Sequence, residues 1–115
     1  MPYDIQLATR IRQYLIDLPY LAIEEKKMFG GLAFLVNGKM CINVSGDNMM
    51  CRVDPALQYS IAEKRGVQPV VMKGRELKGY YYIHPVGFQV QKDFEYWIDL
   101  CLDYNKKAKS SGKTK

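Results

Sequence analysis

Few residues in this chain have the types and spacing that chemistry requires, and its single histidine, His84, is the first to consider. In a catalytic triad, a histidine lies beside a cysteine or serine nucleophile and an orienting acid. His84 instead follows a predicted strand and comes directly before Pro85. This position is typical of a partly exposed histidine in a turn, so the sequence predicts no catalytic site.

The three cysteines, Cys41, Cys51 and Cys101, lack the spacing of metal ligands and of a CxxC redox motif. Cys51 and Cys101 fall on predicted apolar faces, where a free cysteine behaves as a small hydrophobic residue. Cys41 falls on a face of mixed character, so we expect it to be the most reactive of the three thiols. The sequence predicts neither a metal site nor a cofactor site.

Two segments, Gly30-Gly31 and Gly38-Lys39, contain residue types that are found in phosphate-binding loops. The full pattern, GxxxxGK followed by serine or threonine, is absent, since Met40 follows Lys39. These glycines also flank predicted strands, whereas a phosphate-binding loop opens a helix. The spacing therefore favours a structural role for the glycines.

A run of three tyrosines, Tyr80, Tyr81 and Tyr82, lies beside Lys78 and could stack on nucleic-acid bases. Aromatic runs of this kind are also typical of residues that pack within a sheet. Tyr80, Tyr82 and His84 together mark the place where a small-molecule site would be expected.

Positive charge is concentrated at the C-terminus. The 115 residues include 17 basic and 12 acidic side chains, and five of the basic ones lie after Asn105, so the preceding part is neutral. We expect residues 1–105 to form one domain and residues 106–115 to form a disordered basic tail. The tail would give weak, non-specific contact with nucleic acid through Lys106, Lys107, Lys109, Lys113 and Lys115.

Cellular location is predicted from signals that the sequence lacks. The N-terminus shows no signal peptide, and no apolar run approaches the roughly 20 residues of a membrane span. An odd number of cysteines in such a chain is typical of reduced thiols. We therefore expect a cytoplasmic protein without a membrane partner.

The elements that position these residues follow from hydrophobic periodicity and turn signals. A first helix over residues 4–17, ended by Pro19, is predicted from the apolar stripe Ile5, Ala8, Ile11, Leu15 and Leu18. Strands are predicted over residues 26–29, 32–36, 39–44, 49–53, 67–72 and 79–83. Further helices follow Asp54-Pro55 and cover residues 91–105. This order predicts an α+β fold, with an antiparallel sheet and helices packed on one face.

Asn37-Gly38 predicts a type I′ hairpin turn between the second and third strands. The turn pairs Val36 with Lys39, Leu35 with Met40, Phe34 with Cys41 and Ala33 with Ile42. Alternation then predicts that the helices cover Ala33, Leu35, Met40, Ile42, Val44, Met49, Cys51 and Val53. The other face, which is mixed, carries Leu32, Phe34, Val36, Lys39, Cys41, Asn43, Met50 and Arg52. Its members Leu32, Phe34, Cys41 and Met50 are expected to contact a protein partner.

One string of motifs runs along most of the chain: Lys27-Met28-Phe29-Gly30-Gly31, Gly38-Lys39-Met40, Lys78-Gly79-Tyr80-Tyr81-Tyr82 with Pro85, and Trp97 in the last helix. Together these motifs resemble the N-terminal domain of the TfoX/Sxy family over about residues 5–105. The resemblance implies an α+β fold similar to type III secretion chaperones, a bacterial cytoplasmic protein, and no catalytic residues. The best-known members regulate natural competence genes and act with a cyclic-AMP receptor protein at promoters. Those regulators carry a second, C-terminal domain, whereas a short lysine tail follows the N-terminal domain here. We therefore expect a stand-alone N-terminal domain.

Three functional hypotheses follow. The first is a non-enzymatic regulatory or protein-interaction module, either a homodimer or a binder of an unknown protein partner, with a link to transcription. The second is an accessory protein that contacts nucleic acid through its lysine tail. The third is a small-molecule binder with its site near Tyr80, Tyr82 and His84.

Overall fold

The computed structural model describes residues 3–18, 21–28 and 30–107, so the predicted helix end at Pro19 lies outside the described residues. In chain order the elements are α1 (Ile5–Ile16), β1 (Ile23–Met28), β2 (Gly31–Val36), β3 (Lys39–Ser45), β4 (Asn48–Arg52), α2 (Gln58–Ala62), β5 (Val67–Met72), β6 (Arg75–Ile83) and α3 (Gln91–Asn105). Single 3-10 turns, Pro55–Leu57 and Pro85–Gly87, precede α2 and α3. The strands form one antiparallel sheet in the order β1-β2-β3-β4-β6-β5. The predicted α+β class and order of elements are confirmed.

Helix α1 begins at a side-chain cap, whereas α2 and α3 begin without one. The Asp4 carboxylate accepts hydrogen bonds from the backbone N–H groups of Gln6 and Leu7, at 2.9 and 3.3 Å, and so caps α1. The buried face of α1 consists of Leu7, Ala8, Ile11 and Leu15. Ile5 was predicted to belong to this stripe. Around the helix axis, however, it points in a different direction from Ile11, and it is half exposed. The predicted bounds of α3 are those observed.

The β2–β3 hairpin has the predicted turn but only part of the predicted register. Asn37 and Gly38 have φ angles of 53° and 82°, as a type I′ turn requires. Val36 pairs with Lys39 and Leu35 with Met40, and both pairs are confirmed. Beyond them a β-bulge shifts the register, so Phe34 faces Ile42 and Ala33 faces Asn43. The predicted partners, Cys41 for Phe34 and Ile42 for Ala33, are wrong.

The bulge changes which side chains the helices cover, because a slip of one residue turns each side chain to the other face. Leu32, Phe34, Val36 and Cys41 lie in the cluster beneath the helices, where they join Ile42, Val44, Met49, Cys51 and Val53. Ala33, Leu35 and Met40 lie in a separate cluster on the opposite face. The predicted assignment is therefore wrong for these seven residues of β2 and β3 and confirmed for the other five helix-facing positions.

The face opposite the helices carries a second apolar cluster. Its buried members are Ala33, Leu35, Met40, Met50 and Val70. Side chains that pack against it come mainly from β1 and the β5–β6 hairpin: Met28, Met72, Leu77, Tyr80 and Tyr82. All the helix residues of the two clusters belong to the first one, so helices pack on a single face of the sheet. Pro69 has no backbone N–H to donate, so the sequence predicts an edge position or a strand start for it. It lies in β5, at one edge of this sheet.

Gly31 begins β2 at a point where β3 approaches too closely for any side chain. A Cβ atom at this position would lie 1.9 Å from the Val44 carbonyl oxygen and 2.8 Å from Oδ1 of Asn43. The Asn43 amide nitrogen donates a hydrogen bond of 2.9 Å to the carbonyl oxygen of Met28. Together these contacts hold the β1–β2 connection against β3.

We predict that Gly31→Ala destabilises the protein by more than about 2 kcal/mol, because the backbone of β3 must move to admit the methyl group. Gly38→Ala is the matched control. Gly38 has positive φ, but a Cβ atom there would meet no other atom within 4 Å, so its cost should be about 1–2 kcal/mol. Urea unfolding of both variants measures the difference. Equal losses would contradict the close approach at Gly31.

Candidate functional site

The family motif residues lie at the two ends of β2. Gly30 is exposed and has a φ of 73°, and Gly31 follows it at the close contact with β3. Gly38 occupies the β2–β3 turn, and Met40 is buried in the cluster opposite the helices. Phe29 lies outside the described residues. The motif glycines therefore shape two turns, and no helix N-terminus opens at either glycine segment.

Lys39 joins the hairpin to the end of α3. Its Nζ atom donates a hydrogen bond of 2.6 Å to the carbonyl oxygen of Asn105, the last residue of the helix. The Asn105 side chain is buried and donates through Nδ2 to the Val36 carbonyl oxygen at 3.2 Å. An ammonium group at this place also interacts favourably with the negative end of the helix dipole. Lys39 thus has a structural partner.

Trp97, near the middle of α3, also holds this helix in place. Its indole N–H donates a buried hydrogen bond of 3.1 Å to the carbonyl oxygen of Gly87, in the turn before the helix. A Cβ atom at Gly87 would lie 2.6 Å from the Arg65 carbonyl oxygen, so glycine permits this packing. The tryptophan of the motif therefore fixes α3 against the preceding turn.

The four residues predicted as a partner interface do not form a surface. Leu32, Phe34 and Cys41 lie beneath the helices, and Met50 lies in the opposite cluster. Their exposed fractions are 7% or less. The bulge in β3 turns the first three inward, so this predicted interface is wrong.

The structure brings the three cysteines together, which sequence spacing did not indicate. Cys41 is the extra residue of the bulge in β3, Cys51 lies on the neighbouring strand, and Cys101 lies on α3. All three are buried, and the Cys101 thiol is a hydrogen-bond partner of both others. Their approach depends on the bulge and on helix packing, neither of which leaves a local sequence signal.

Burial makes these thiols poor nucleophiles. The hydrogen bond with Cys101, followed by burial, raises the pKa of Cys41 well above its usual value. Burial is the main cause that raises the pKa of Cys101. A thiol reacts as its thiolate, so the expectation that Cys41 is the reactive one is wrong. Within the described part of the chain, no three His, Cys, Asp or Glu side chains are placed to hold a metal ion.

The tyrosine run is divided between the two faces of the sheet. Tyr81 packs beneath the helices, whereas Tyr80 and Tyr82 pack against the opposite cluster. His84 is partly exposed, and its Nε2 lies 2.8 Å from Oε1 of Gln68. Because the tyrosines are packing residues, they present no continuous stacking surface for bases.

Two of the five C-terminal lysines lie within the described residues. Lys107 Nζ lies 3.2 Å from the Asp54 carboxylate, and the Lys107 backbone N–H donates to the Tyr104 carbonyl oxygen at 2.9 Å. A hydrogen bond from the Ala56 N–H, followed by Lys107, lowers the pKa of Asp54. Lys106 is exposed, and Lys109, Lys113 and Lys115 lie outside the described residues.

A cleft of about 550 Å³ lies between the end of α2 and the start of α3, in a place that sequence reasoning missed. Its charged lining is mixed, with Lys64, Arg65 and Lys92 beside Glu63 and Asp93. The Lys64 ammonium lies 4.8 Å from the centre of the Tyr96 ring. Neither Tyr80, Tyr82 nor His84 lines this cleft, so the predicted small-molecule location does not coincide with it.

A more apolar groove of about 440 Å³ lies between α1 and the edge strand β1. Its apolar lining is Leu15, Ile16, Leu18, Leu21 and Ile23. At one side Arg12 binds Glu25 through two hydrogen bonds, of 2.5 and 2.8 Å. This contact with Arg12 lowers the pKa of Glu25 and raises that of Arg12. The groove is therefore an apolar open surface that lies next to a strand edge with charged side chains.

Comparison with known proteins identifies one family. The family described as TfoX N-terminal domain matches residues 18–104 of this chain. Neither the curated proteins nor the solved structures yield a match. Within the described ranges, none of the helices has both the length and the apolar content that crossing a membrane requires.

We predict that Lys39→Met lowers the free energy of unfolding by about 1–2 kcal/mol, because the Asn105 carbonyl loses a charged donor at the helix terminus. Lys78→Met is the matched control, since Lys78 is exposed on β6. Denaturant unfolding measures both variants. A loss at Lys39 no larger than that at Lys78 would contradict the capping role.

We predict that a thiol reagent modifies none of the cysteines in the native protein and all three after denaturation, since each is buried. Lys78→Cys provides an internal control, because its exposed thiol should react at once in the folded state. Peptide mapping identifies the modified residues. Rapid modification of Cys41 in the folded wild-type chain would contradict the prediction.

Proposed function

The chain belongs to the TfoX N-terminal domain family, and on this premise we propose that it is a non-enzymatic regulatory module that works through protein contacts in the cytoplasm of a bacterium. The family match over residues 18–104 carries the proposal. The competence regulators that this domain resembles act with a cyclic-AMP receptor protein at promoters. A complex of that kind, which links the chain to transcription, is therefore the activity to test.

The roles of the chemistry-bearing residues support this proposal. Lys39 and Trp97 are engaged in holding α3, and Gly31 admits the close approach of β3. The three thiols are buried. These residues hold the fold together, which leaves the groove beside α1 and the exposed edge of β1 for interaction. An interaction domain requires this arrangement, in which the motif residues stabilise the fold and a groove and a strand edge stay open to a partner.

A second candidate, contact with nucleic acid, is favoured by the position of the positive charge. Five lysines follow Asn105, and the preceding part of the chain is neutral. Lys107 is bound to Asp54, so Lys109, Lys113 and Lys115 are the better candidates for phosphate contacts. Three neutralised phosphates would give a slope of log affinity against log salt of roughly −2.7 on duplex DNA.

We predict that the chain binds a complex of a cyclic-AMP receptor protein with its DNA site more tightly than it binds either component alone. Fluorescence anisotropy of a labelled duplex, with and without the receptor protein and cyclic AMP, measures this. Two forms are compared: the full chain, and a chain that ends after Lys107 and keeps the contact with Asp54. Equal binding of both forms to the complex is the expected result.

The outcomes separate the two candidates. If neither form binds the receptor–DNA complex, the proposed link to transcription is contradicted. If only the full chain binds, and it binds DNA alone with steep salt dependence, the tail accounts for the activity. Replacement of Lys109, Lys113 and Lys115 by glutamine is the control of equal length, and it should then abolish binding.

A further inference from the structure

Strand β1 lies at the edge of the sheet and exposes half of its backbone hydrogen-bonding groups. The Asn37 N–H donates to the Ala22 carbonyl oxygen at 2.8 Å, which makes this a hydrogen-bonded pair. Such pairs alternate along an antiparallel ladder, and the β1–β2 register continues without a shift. Glu24 and Lys26 therefore bond to β2. Ile23, Glu25 and Lys27 direct their backbone N–H and C=O groups outward.

The side chains of this edge are exposed and follow a charge pattern that complements itself. The sequence reads Glu24-Glu25-Lys26-Lys27, and all four residues are exposed. Two identical strands that pair antiparallel about a two-fold axis must place opposed residues on the same face of the sheet. The pairing is therefore centred on one residue, which faces its own copy. The two charged centres to consider are Glu25 and Lys26.

Pairing centred on Glu25 satisfies both the backbone and the charges. Ile23, Glu25 and Lys27 would bond to Lys27, Glu25 and Ile23 of the second copy, with about six backbone hydrogen bonds. Glu24 would face Lys26 of the second copy in two equivalent pairs. These are pairs without backbone hydrogen bonds, in which the Cα atoms are only about 4.5 Å apart and the side chains approach most closely.

The like charges at the axis are already compensated. Each Glu25 carboxylate is bound by two nitrogens of Arg12 from its own chain, at 2.5 and 2.8 Å. Pairing centred on Lys26 would instead oppose two ammonium groups, for which no ion pair is found among the described residues. The charges therefore favour the pairing centred on Glu25.

We propose that β1 is a dimer interface, at which two copies of the chain pair antiparallel about Glu25 and form a continuous sheet of twelve strands. The partner of the β1 surface is thus a second copy of the chain, an inference that rests on the proposed function. Ile16 is 70% exposed beside this edge, and Leu18, Leu21 and Ile23 line the same groove. In the dimer these side chains lie next to the interface and add apolar surface to it.

The oligomeric state of the full chain tests the proposal. Sedimentation equilibrium should give twice the chain mass for the wild type. Lys26→Glu creates two Glu–Glu oppositions and should raise the dimer dissociation constant about tenfold or more. The double variant Glu24→Lys with Lys26→Glu restores opposite charges and should restore the dimer. Lys78→Glu, with the same charge change at an exposed site on β6, should leave the dimer unchanged.

Two results would overturn this interface. A wild-type monomer at every concentration would mean that the charges of β1 keep the edge unpaired, as in many sheet proteins. A dimer that is insensitive to Lys26→Glu would place the contact elsewhere. Circular dichroism and thermal unfolding confirm that each variant is folded. A confirmed dimer that does not bind the receptor–DNA complex would refute the proposed function and leave this interface intact.

Discussion

A single extra residue in β3 determines how the two layers of this protein meet. The β-bulge between the Leu35–Met40 and Phe34–Ile42 pairs lets Cys41 and Ile42 both contribute to the core beneath the helices. The opposite face receives Ala33, Leu35 and Met40, around which the second cluster forms. Helices pack on the first face, and side chains of β1 and the β5–β6 hairpin cover the second.

The family motif acts on the same part of the sheet. Gly31 allows β3 to pass within contact of the β1–β2 turn, and Asn43 bonds that turn through the Met28 carbonyl oxygen. At the other end of β2, Lys39 and Asn105 join the hairpin to α3. Motif positions of this kind are explained by packing and capping. Their presence identifies the fold without requiring a reaction at these residues.

The groove beside α1 and the edge of β1 are open surfaces that the two cores do not use. The groove beside α1 is apolar, and the adjoining edge of β1 carries both unpaired backbone groups and balanced charge. Arg12 and Glu25 connect the two, because their ion pair spans from the helix to the strand. The opposite edge of the sheet is β5, where Pro69 lacks a backbone donor. The two edges are therefore chemically different.

Local signals in the sequence were sufficient for the α+β class, the bounds of α3, the Asn37-Gly38 turn and the edge position of Pro69. Each depends on residues close together in the chain: a periodic stripe, a glycine with positive φ, a missing donor. Only the tertiary structure decided the faces of Leu32, Phe34 and Cys41, the approach of the three thiols and the partner of Lys39. Those depend on the bulge, which shifts the register by one residue, and on contacts between segments such as β3 and α3 that are distant in sequence.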